Sequence, residues 1–523
     1  MKFDSRLVRL TLVAALATGF AACDDGPTDP PVVPLGTVSG LSASFDGDAV
    51  EVSWSGLAGA ETYIVERDDI SNSEGYVEIA GSVTGTSYSD QAVVRGTSYS
   101  YRVRGVRGTE QGAPGTVNIG IPSEPIAEFS GTVGPGERRV LHADTTYTME
   151  GAVVVDSGAV LEIQPGTLIL GDVEVRGTAL FVRIGGRIEA EGTADAPIVF
   201  TSSAPAGERR RGDWGGIVIN GRSICSFGPP CQGEGDSGTY GRDPAVEGDD
   251  SGIMRYVRIE YAGYEVSLDN EINALTLNGV GSGTTLEYIQ AHFHDDDGIE
   301  WFGGTVDLKY ALTTFGDDDG FDFSTGWQGR GQFWITQQDL ASGDRGWEVD
   351  GNEENFSATP LTDPLVYNFT VIGKGPEGAA GASPAGLQLR RGVAGNYYNG
   401  IVMGFDNGLD IDDAETAAHC LTGGFEMSSM IFFQNTNTFD ADSDAFEASC
   451  VADSDYRTAD PMLADPYNLT APDFRPENGS PALTGATTPP ADDFFTSVDF
   501  VGAVAASGDL STWWQGWTTF AQN

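Results

Sequence analysis

Two runs of three aspartates, Asp295-Asp296-Asp297 and Asp317-Asp318-Asp319, stand 22 residues apart, and a glycine follows each, Gly298 and Gly320. Clustered hard oxygen ligands suit Ca²⁺, and a glycine after such a run answers to a turn. If the runs occupy equivalent corners of successive turns of a repeat, their six carboxylates converge. Aspartate runs are also ordinary solvated surface in an acidic chain, so both readings stand. A looser group, Asp440, Asp442 and Asp444 with Glu447, has the D-x-D-x-D spacing of a calcium loop. Ala445 stands where an EF-hand has glycine, and Glu447 comes too early for the bidentate position. That group reads as a calcium loop of another geometry or as an exposed acidic loop.

A further set of acids sits inside apolar–polar–apolar triplets. These are Leu275-Thr276-Leu277, Ile299-Glu300-Trp301, Phe321-Asp322-Phe323, Trp347-Glu348-Val349, Leu387-Gln388-Leu389 and Leu409-Asp410-Ile411. The steps 299 to 321 and 387 to 409 are 22 residues, and 321 to 347 is 26. The gap from 349 to 387 leaves room for an extra coil or a long loop. Side chains alternate sides along a strand, so one parity faces in. Burying Glu300, Asp322, Glu348 and Asp410 in a narrow core would cost far too much. The apolar residues are therefore placed inside, and the acids form an outward ladder. On strands about 4.8 Å apart, like charges repel by roughly 1 kcal/mol in water. Lys309, Arg390, Arg391 or a bound cation would relieve that repulsion. The ladder reads as a groove for Ca²⁺ or a ligand, or as a solvated strand face.

The elements that must position these acids are legible. Shifting 284–298 by 22 (306 − 284) lays Leu286 on Leu308, Tyr288 on Tyr310 and Phe293 on Phe315. A period of this size with short strands marks a β-solenoid of about a dozen coils, here over 125–508. The tryptophan-rich end, 509–523 with Trp513, Trp514, Trp517 and Phe520, is expected to cap it, because terminal coils otherwise expose core and strand edge. Trp327 and Trp334 read as packing residues, and His292 and His294 as lining a turn.

This architecture resembles the right-handed parallel β-helices of the pectate-lyase-like class. More narrowly, it resembles a family of uncharacterised bacterial surface lipoproteins. The residues that carry the likeness are Ala196-Pro-Ile-Val-Phe-Thr-Ser202, Gly212-Asp-Trp-Gly-Gly216, Asp296-Asp-Gly-Ile-Glu-Trp-Phe-Gly-Gly304 and Trp514-Gln-Gly-Trp-Thr518. The resemblance implies two chemistries. In one, a lyase uses Ca²⁺ with a basic residue, for which Arg390 is a candidate. In the other, a glycosidase uses paired carboxylates on neighbouring coils, as Glu300 with Asp322 would supply. The Gly-His-Gly segment of polygalacturonases does not occur in the chain.

Ahead of the solenoid, 37–121 reads as an antiparallel sandwich, with alternating strands at Val50-Glu-Val-Ser-Trp54, Thr62-Tyr-Ile-Val-Glu-Arg67 and Thr97–Val106. Trp54, Tyr63, Tyr99 and Tyr101 resemble the pattern of a fibronectin type III domain, which implies a spacer or adhesion module. The fold class is thus all-β, an immunoglobulin-like sandwich followed by a parallel β-helix. Residues 1–22 carry Lys2, Arg6 and Arg9 before an apolar stretch too short to span a bilayer. Gly19-Phe-Ala-Ala-Cys23 resembles a lipobox, which implies acylation of Cys23 and attachment to a membrane through that lipid alone. The proline-rich 23–36 is a tether.

Composition narrows the partners. Against 28 Lys+Arg stand 77 Asp+Glu, a net charge of −49, so nucleic acid is excluded by repulsion of its phosphates. With only four histidines, a His-rich metal centre is excluded too. Cys225 with Cys231 and Cys420 with Cys450 form two local pairs, expected as disulfides of an exported chain. A zinc site from the same four is the alternative, and it lacks the C-x2-C spacing. The acids recur along the coils without a unique catalytic constellation. The expected function is therefore non-catalytic binding or adhesion, outside the cytoplasm, to a glycan or other surface ligand through a Ca²⁺-stabilised β-helix. A lyase or hydrolase of acidic polysaccharide, and a self-assembling surface component, are the alternatives.

Overall fold

The structure is a computed structural model describing residues 34–521 apart from 46–48, 71–74, 122–125, 268–269, 379–382, 441–445 and 452–455. Cys23, residues 1–22 and most of the tether lie outside the described residues, as do Asp442 and Asp444.

The N-terminal strands obey their period-two pattern. In Val50–Ser53 the valines are buried and Glu51 and Ser53 are exposed. Ser42–Phe45, Val50–Ser53 and Ser87–Asp90 form one antiparallel sheet. Val77–Val83, Thr62–Asp69, Ser98–Arg107 and Gly115–Gly120 form the other. Both contribute to one core, in which Trp54 meets Tyr63 edge-on at 5.2 Å. The Tyr101 hydroxyl donates to Asp90 at 2.7 Å, which satisfies a buried polar pair.

From Ile126–Val133 to Tyr456–Arg457 the chain coils into a parallel β-helix. One file of short strands contains Leu275–Asn278, Ile299–Phe302, Phe321–Ser324, Trp347–Asp350, Ala385–Arg390 and Asn407–Ile411. Their register runs Thr276, Glu300, Asp322, Glu348, Gln388, Asp410. Trp347–Asp350 therefore pairs directly with Ala385–Arg390. The long sequence gap holds loops rather than an extra coil, and Gln388 separates Asp410 from Glu348. The apolar members of each triplet point inward: Ile299, Trp301, Phe321, Phe323, Trp347 and Val349 are 0% exposed. Trp301 stacks on Trp327 at 4.7 Å and on Trp334 at 5.4 Å, so both of those tryptophans are packing residues. Each such burial stabilises by roughly 1.5–3 kcal/mol.

A second file of longer strands bends midway at a residue with positive φ: Tyr256, Tyr288, Tyr310, Phe333, Asn368 and Asn399. The left-handed conformation costs a non-glycine residue about 1–2 kcal/mol. Ring stacking offsets it where the residue is aromatic, at 4.2 Å for Tyr256–Tyr288 and 4.3 Å for Tyr288–Tyr310.

The C-terminal end departs from expectation. Parallel pairing stops at Arg457, well short of residue 508. The chain then lies across the long strands as a lateral strap, and the described part of the expected cap, 509–521, lies on that flank rather than at the open end. Trp513, Trp514 and Trp517 pack with Leu312, Phe333, Ile335 and Ile401. Those outward apolar side chains needed a cover, and the amides beside them needed partners. Gln332 donates to Thr496 O at 2.7 Å and accepts from Thr496 N at 2.8 Å. Gln290 grips Thr519 and Asn399 grips Thr487 in the same two-way fashion. The end of the core is instead met by helix Ala414–Thr422 and helix Phe446–Cys450, whose Ala417 and Val451 region joins the interior cluster. A disulfide, Cys420–Cys450, links the two helices. Among the described residues no helix is long and apolar enough to cross a membrane.

Candidate functional site

The file of triplets does not present a bare ladder. Glu300, Asp322 and Glu348 turn away from the apolar interior as expected, yet they are only 7%, 8% and 9% exposed. Insertions wall them in. The Cys225–Cys231 disulfide ties a loop carrying Phe227, and the hairpin Cys231–Gly233 with Gly238–Tyr240 brings Glu234. The hairpin Tyr264–Ser267 with Asn270–Ile272 brings Glu271, and Glu353 follows the strand Trp347–Asp350. The result is a cleft of about 410 Å³ whose lining includes the ladder, Asp296, Asp297, Asp318, Asp319, Asp350, Arg345, Arg390 and Arg391. The reading of a solvated strand face is thereby corrected: loop insertions, which carry no period, roof the strands.

The corner aspartates are held by backbone donors of neighbouring coils. Asp297 Oδ1 accepts the Asp319 N–H at 3.0 Å, and Asp319 Oδ1 accepts the Arg345 N–H. The fully buried Asn273 orients two acids together, accepting the Asp297 N–H at 3.1 Å and donating to Glu300 Oε2. Carboxylate oxygens of Asp297, Glu300 and Asp322 lie within 4.8 Å of one another. So do those of Asp296, Asp297 and Asp318, and those of Asp318, Asp319 and Asp344. Asp322 Oδ1 is buried without a hydrogen-bond partner. An all-oxygen donor set with an unsatisfied carboxylate oxygen fits a hard divalent cation.

Burial, then Asp322, raises Glu300 well above the usual carboxylate range. Burial, then Glu348, does the same to Asp322, and burial, then Asp296, to Asp297. Glu348 is pushed up to about 7 by burial and Asp350, against the pull of Arg390. Glu234 is pushed up to about 7 by burial, Glu271 and Glu353. Water is displaced from these acids, and they repel one another.

The basic residues are spent at one end. Arg390 binds Glu348 at 2.5 Å and Asp350 at 2.7 Å, and Arg391 binds Asp350 at 2.5 Å. Burial disfavours the Arg390 charge, yet the bonds to Asp350 and the field of Glu348 outweigh it and hold the guanidinium more firmly protonated. In this arrangement Arg390 serves as a counter-ion to Glu348 and Asp350. Lys309 does not serve the ladder. It donates to Phe494 O at 2.5 Å and to Thr496 Oγ1 at 2.9 Å, under the strap.

The remaining expected residues disperse. Asp295 and Asp317 lie outside the cleft lining, with Asp317 3.4 Å from Arg211, so the six aspartates do not all converge. Asp410 accepts from Gln388 at 2.9 Å, apart from the cleft. Asp440 accepts from Asn407 at 3.2 Å, while Glu447 accepts the Ile411 N–H at 3.0 Å, which ties a helix to the last coils. His292 is buried beneath the strap against Ala521 O, and His294 bonds Asp296 O within its turn.

Residues 135–470 match the pectate-lyase like beta helix domain family. The chain belongs to that family. Among solved structures, pectate lyase PelI from Erwinia chrysanthemi in complex with tetragalacturonic acid aligns at 10% identity. That alignment covers 72% of this chain and 87% of that one, with a TM-score of 0.14. Pectate lyase Pel3 from Pectobacterium carotovorum aligns at 8% identity over 76% and 86%, with a TM-score of 0.16. An Fn3-like protein from Clostridium thermocellum aligns at 34% identity over 15% of this chain and 86% of that one, with a TM-score of 0.13. No curated protein matches the chain.

Within this pectate-lyase-like β-helix, sequence reasoning missed Asn273, Asp344, Arg345, Asp350, Glu234 and Glu271. Two of them had a signal. The 26-residue step from Phe321 to Trp347, applied to Asp318 and Asp319, lands on Asp344 and Arg345. Glu234 and Glu271 sit on insertions outside the repeat, where no period points to them.

Proposed function

We propose that this pectate-lyase-like β-helix is an extracytoplasmic surface protein, lipid-anchored through Cys23, whose cleft takes up Ca²⁺ and binds a glycan through it without cleaving it. One observation carries the reading. Asp297, Glu300 and Asp322 are each more than nine-tenths buried, face one another, and have no ion-paired basic residue among the described residues. Ca²⁺ takes about six to eight oxygens, so three carboxylates leave positions for sugar hydroxyls or carboxylates. Phe227 and Phe302 line the same cleft and offer apolar faces to a ring. The two disulfides suit an oxidising compartment.

A glycan array read with Ca²⁺ and with EDTA tests this. Binding that needs Ca²⁺ and is lost in Asp322→Asn is expected. Equal binding in EDTA would sink the reading.

The proximity of Glu300 and Asp322 favours hydrolysis as a second reading. Their oxygens lie within 4.8 Å, near the carboxyl spacing of about 5–5.5 Å in retaining glycosidases. Release of reducing ends that disappears in Glu300→Gln would establish it. Ultraviolet-absorbing unsaturated uronides would establish a lyase instead.

A further inference from the structure

The roof of the cleft carries acids as its floor does. Glu234 stands in the turn between Cys231–Gly233 and Gly238–Tyr240, and Glu271 in the strand Asn270–Ile272. The two hairpins are joined where the Gly235 N–H donates to Asn270 Oδ1 at 2.8 Å. Glycine permits that approach, since its φ is 62° and a Cβ there would stand 2.2 Å from Ile272. Roof and floor act on each other across the gap. Glu271 and Glu234 add to burial in raising Asp296, and Glu234 adds to it in raising Glu300.

The bases of the cleft do not answer this charge. Arg345 is bonded to Asp344 and pairs with Glu348, Arg390 pairs with Glu348 and Asp350, and Arg391 pairs with Asp350 and Glu353. Glu234, Asp296 and Glu300 have no ion-paired basic residue among the described residues. Eleven carboxyl groups line the cleft against these three guanidiniums. Eleven less three, less two for a divalent ion on Asp297, Glu300 and Asp322, leaves six formal charges unanswered.

A uronate carboxylate entering this space meets no unpaired base and is repelled. An ammonium group brings the missing charge together with N–H donors, and Asp322 Oδ1, buried and without a partner, is an acceptor already in place. Phe227, 41% exposed beside these acids, offers a ring face of the kind that holds cations and the apolar side of a sugar.

We infer that the glycan of this cleft is one of amino sugars with free ammonium groups, gripped between Glu234 and Glu271 on the roof and Asp296, Glu300 and Asp322 on the floor. The inference rests on the proposed glycan-binding reading and names the class of sugar.

Isothermal titration of the full chain in saturating Ca²⁺ and in EDTA tests it. The probes are the β-1,4 tetramer of glucosamine, its N-acetylated form, tetragalacturonate and spermine. In Ca²⁺ the glucosamine tetramer should bind at least about tenfold tighter than the acetylated one, the effect of a single partly buried charge pair. Glu234→Gln combined with Glu271→Gln should erase that preference while Ca²⁺ still binds. An acetylated tetramer that binds as well, or tetragalacturonate that binds better, overturns the inference and leaves the glycan reading standing. Spermine bound as tightly as the glucosamine tetramer shows that charge alone is read and overturns the sugar. A preference that survives the double variant overturns the placement of the ammonium groups. Equal binding of the glucosamine tetramer in EDTA sinks the calcium dependence and supports the ammonium inference. If no probe binds, the inference falls, and the glycan array with Ca²⁺ decides the broader reading separately.

Discussion

Asp297 accepts the backbone N–H of Asp319, its counterpart one coil later, at 3.0 Å. The bond fixes a carboxylate in a place where its neighbours are also carboxylates. The coil geometry therefore holds the acids together, and burial with mutual repulsion raises Asp297, Glu300 and Asp322 well above the usual carboxylate range.

The buried acids set a pH dependence. Glu234 and Glu348 are raised to about 7, with burial as the first cause. For an acid whose folded pKa lies above its unfolded value, the stability it contributes is full below the unfolded pKa and is lost as pH rises through the folded one. The cation-free protein should lose melting temperature between about pH 4 and 7, and Ca²⁺ should restore it at the upper end. Calorimetry in EDTA across that window, repeated with Ca²⁺, measures this. A melting temperature that climbs with pH in EDTA would contradict it.

Asn273 should matter to cation binding although it is not a carboxylate. It orients Asp297 and Glu300 together. Loss of such a supporting partner typically costs about 10–100-fold in metal affinity, and Asn273→Ala should show a drop of that order by titration. Unchanged affinity in the folded variant would refute the orienting role.

The two disulfides should differ in weight. The Cys420–Cys450 link spans 30 residues and joins the end helices, whereas Cys225–Cys231 spans 6. Replacing the 420/450 pair by serine should cost about 2–4 kcal/mol, and the 225/231 pair less. Denaturant titration of both double variants compares them. Free thiols at any of the four positions in exported protein would count against the assignment.

The strap should contribute to stability through its backbone grips. Gln332→Leu strands the Thr496 N–H and C=O under cover. Thr496 is half-buried, so the loss is set by the two hydrogen bonds, each worth about 0.5–1.5 kcal/mol, and urea denaturation of this variant should show a loss of that order. Stability equal to wild type would mean that the strap is held by its tryptophans alone.

Acylation is tested at Cys23. Radiolabelled palmitate should enter the wild type and not Cys23→Ser, and the variant should leave the membrane fraction. Equal labelling of both would remove the lipid anchor from the proposed function.

The sequence by itself determined the coil and the side of it on which the acids stand. Ile299-Glu300-Trp301 and Phe321-Asp322-Phe323 settle their own orientation, because a strand has only two faces and a carboxylate cannot join a core of tryptophans. The 22-residue step then stacks Glu300 on Asp322 and Asp297 near Asp319, since neighbouring coils pair in register. Only the tertiary structure decided what covers those acids and which of them meet. Glu234 and Glu271 reach the cleft from insertions whose sequences carry no period. Arg390 is drawn to Glu348 and Asp350 by contacts between separate coils. Trp513 and Trp517 lie along the flank instead of the end because Leu312, Phe333 and Ile335 leave an apolar face there to be covered. Periodicity reports the alternation of faces along one strand. It does not report the distances between distant segments, and those distances set burial, pairing and charge in the cleft.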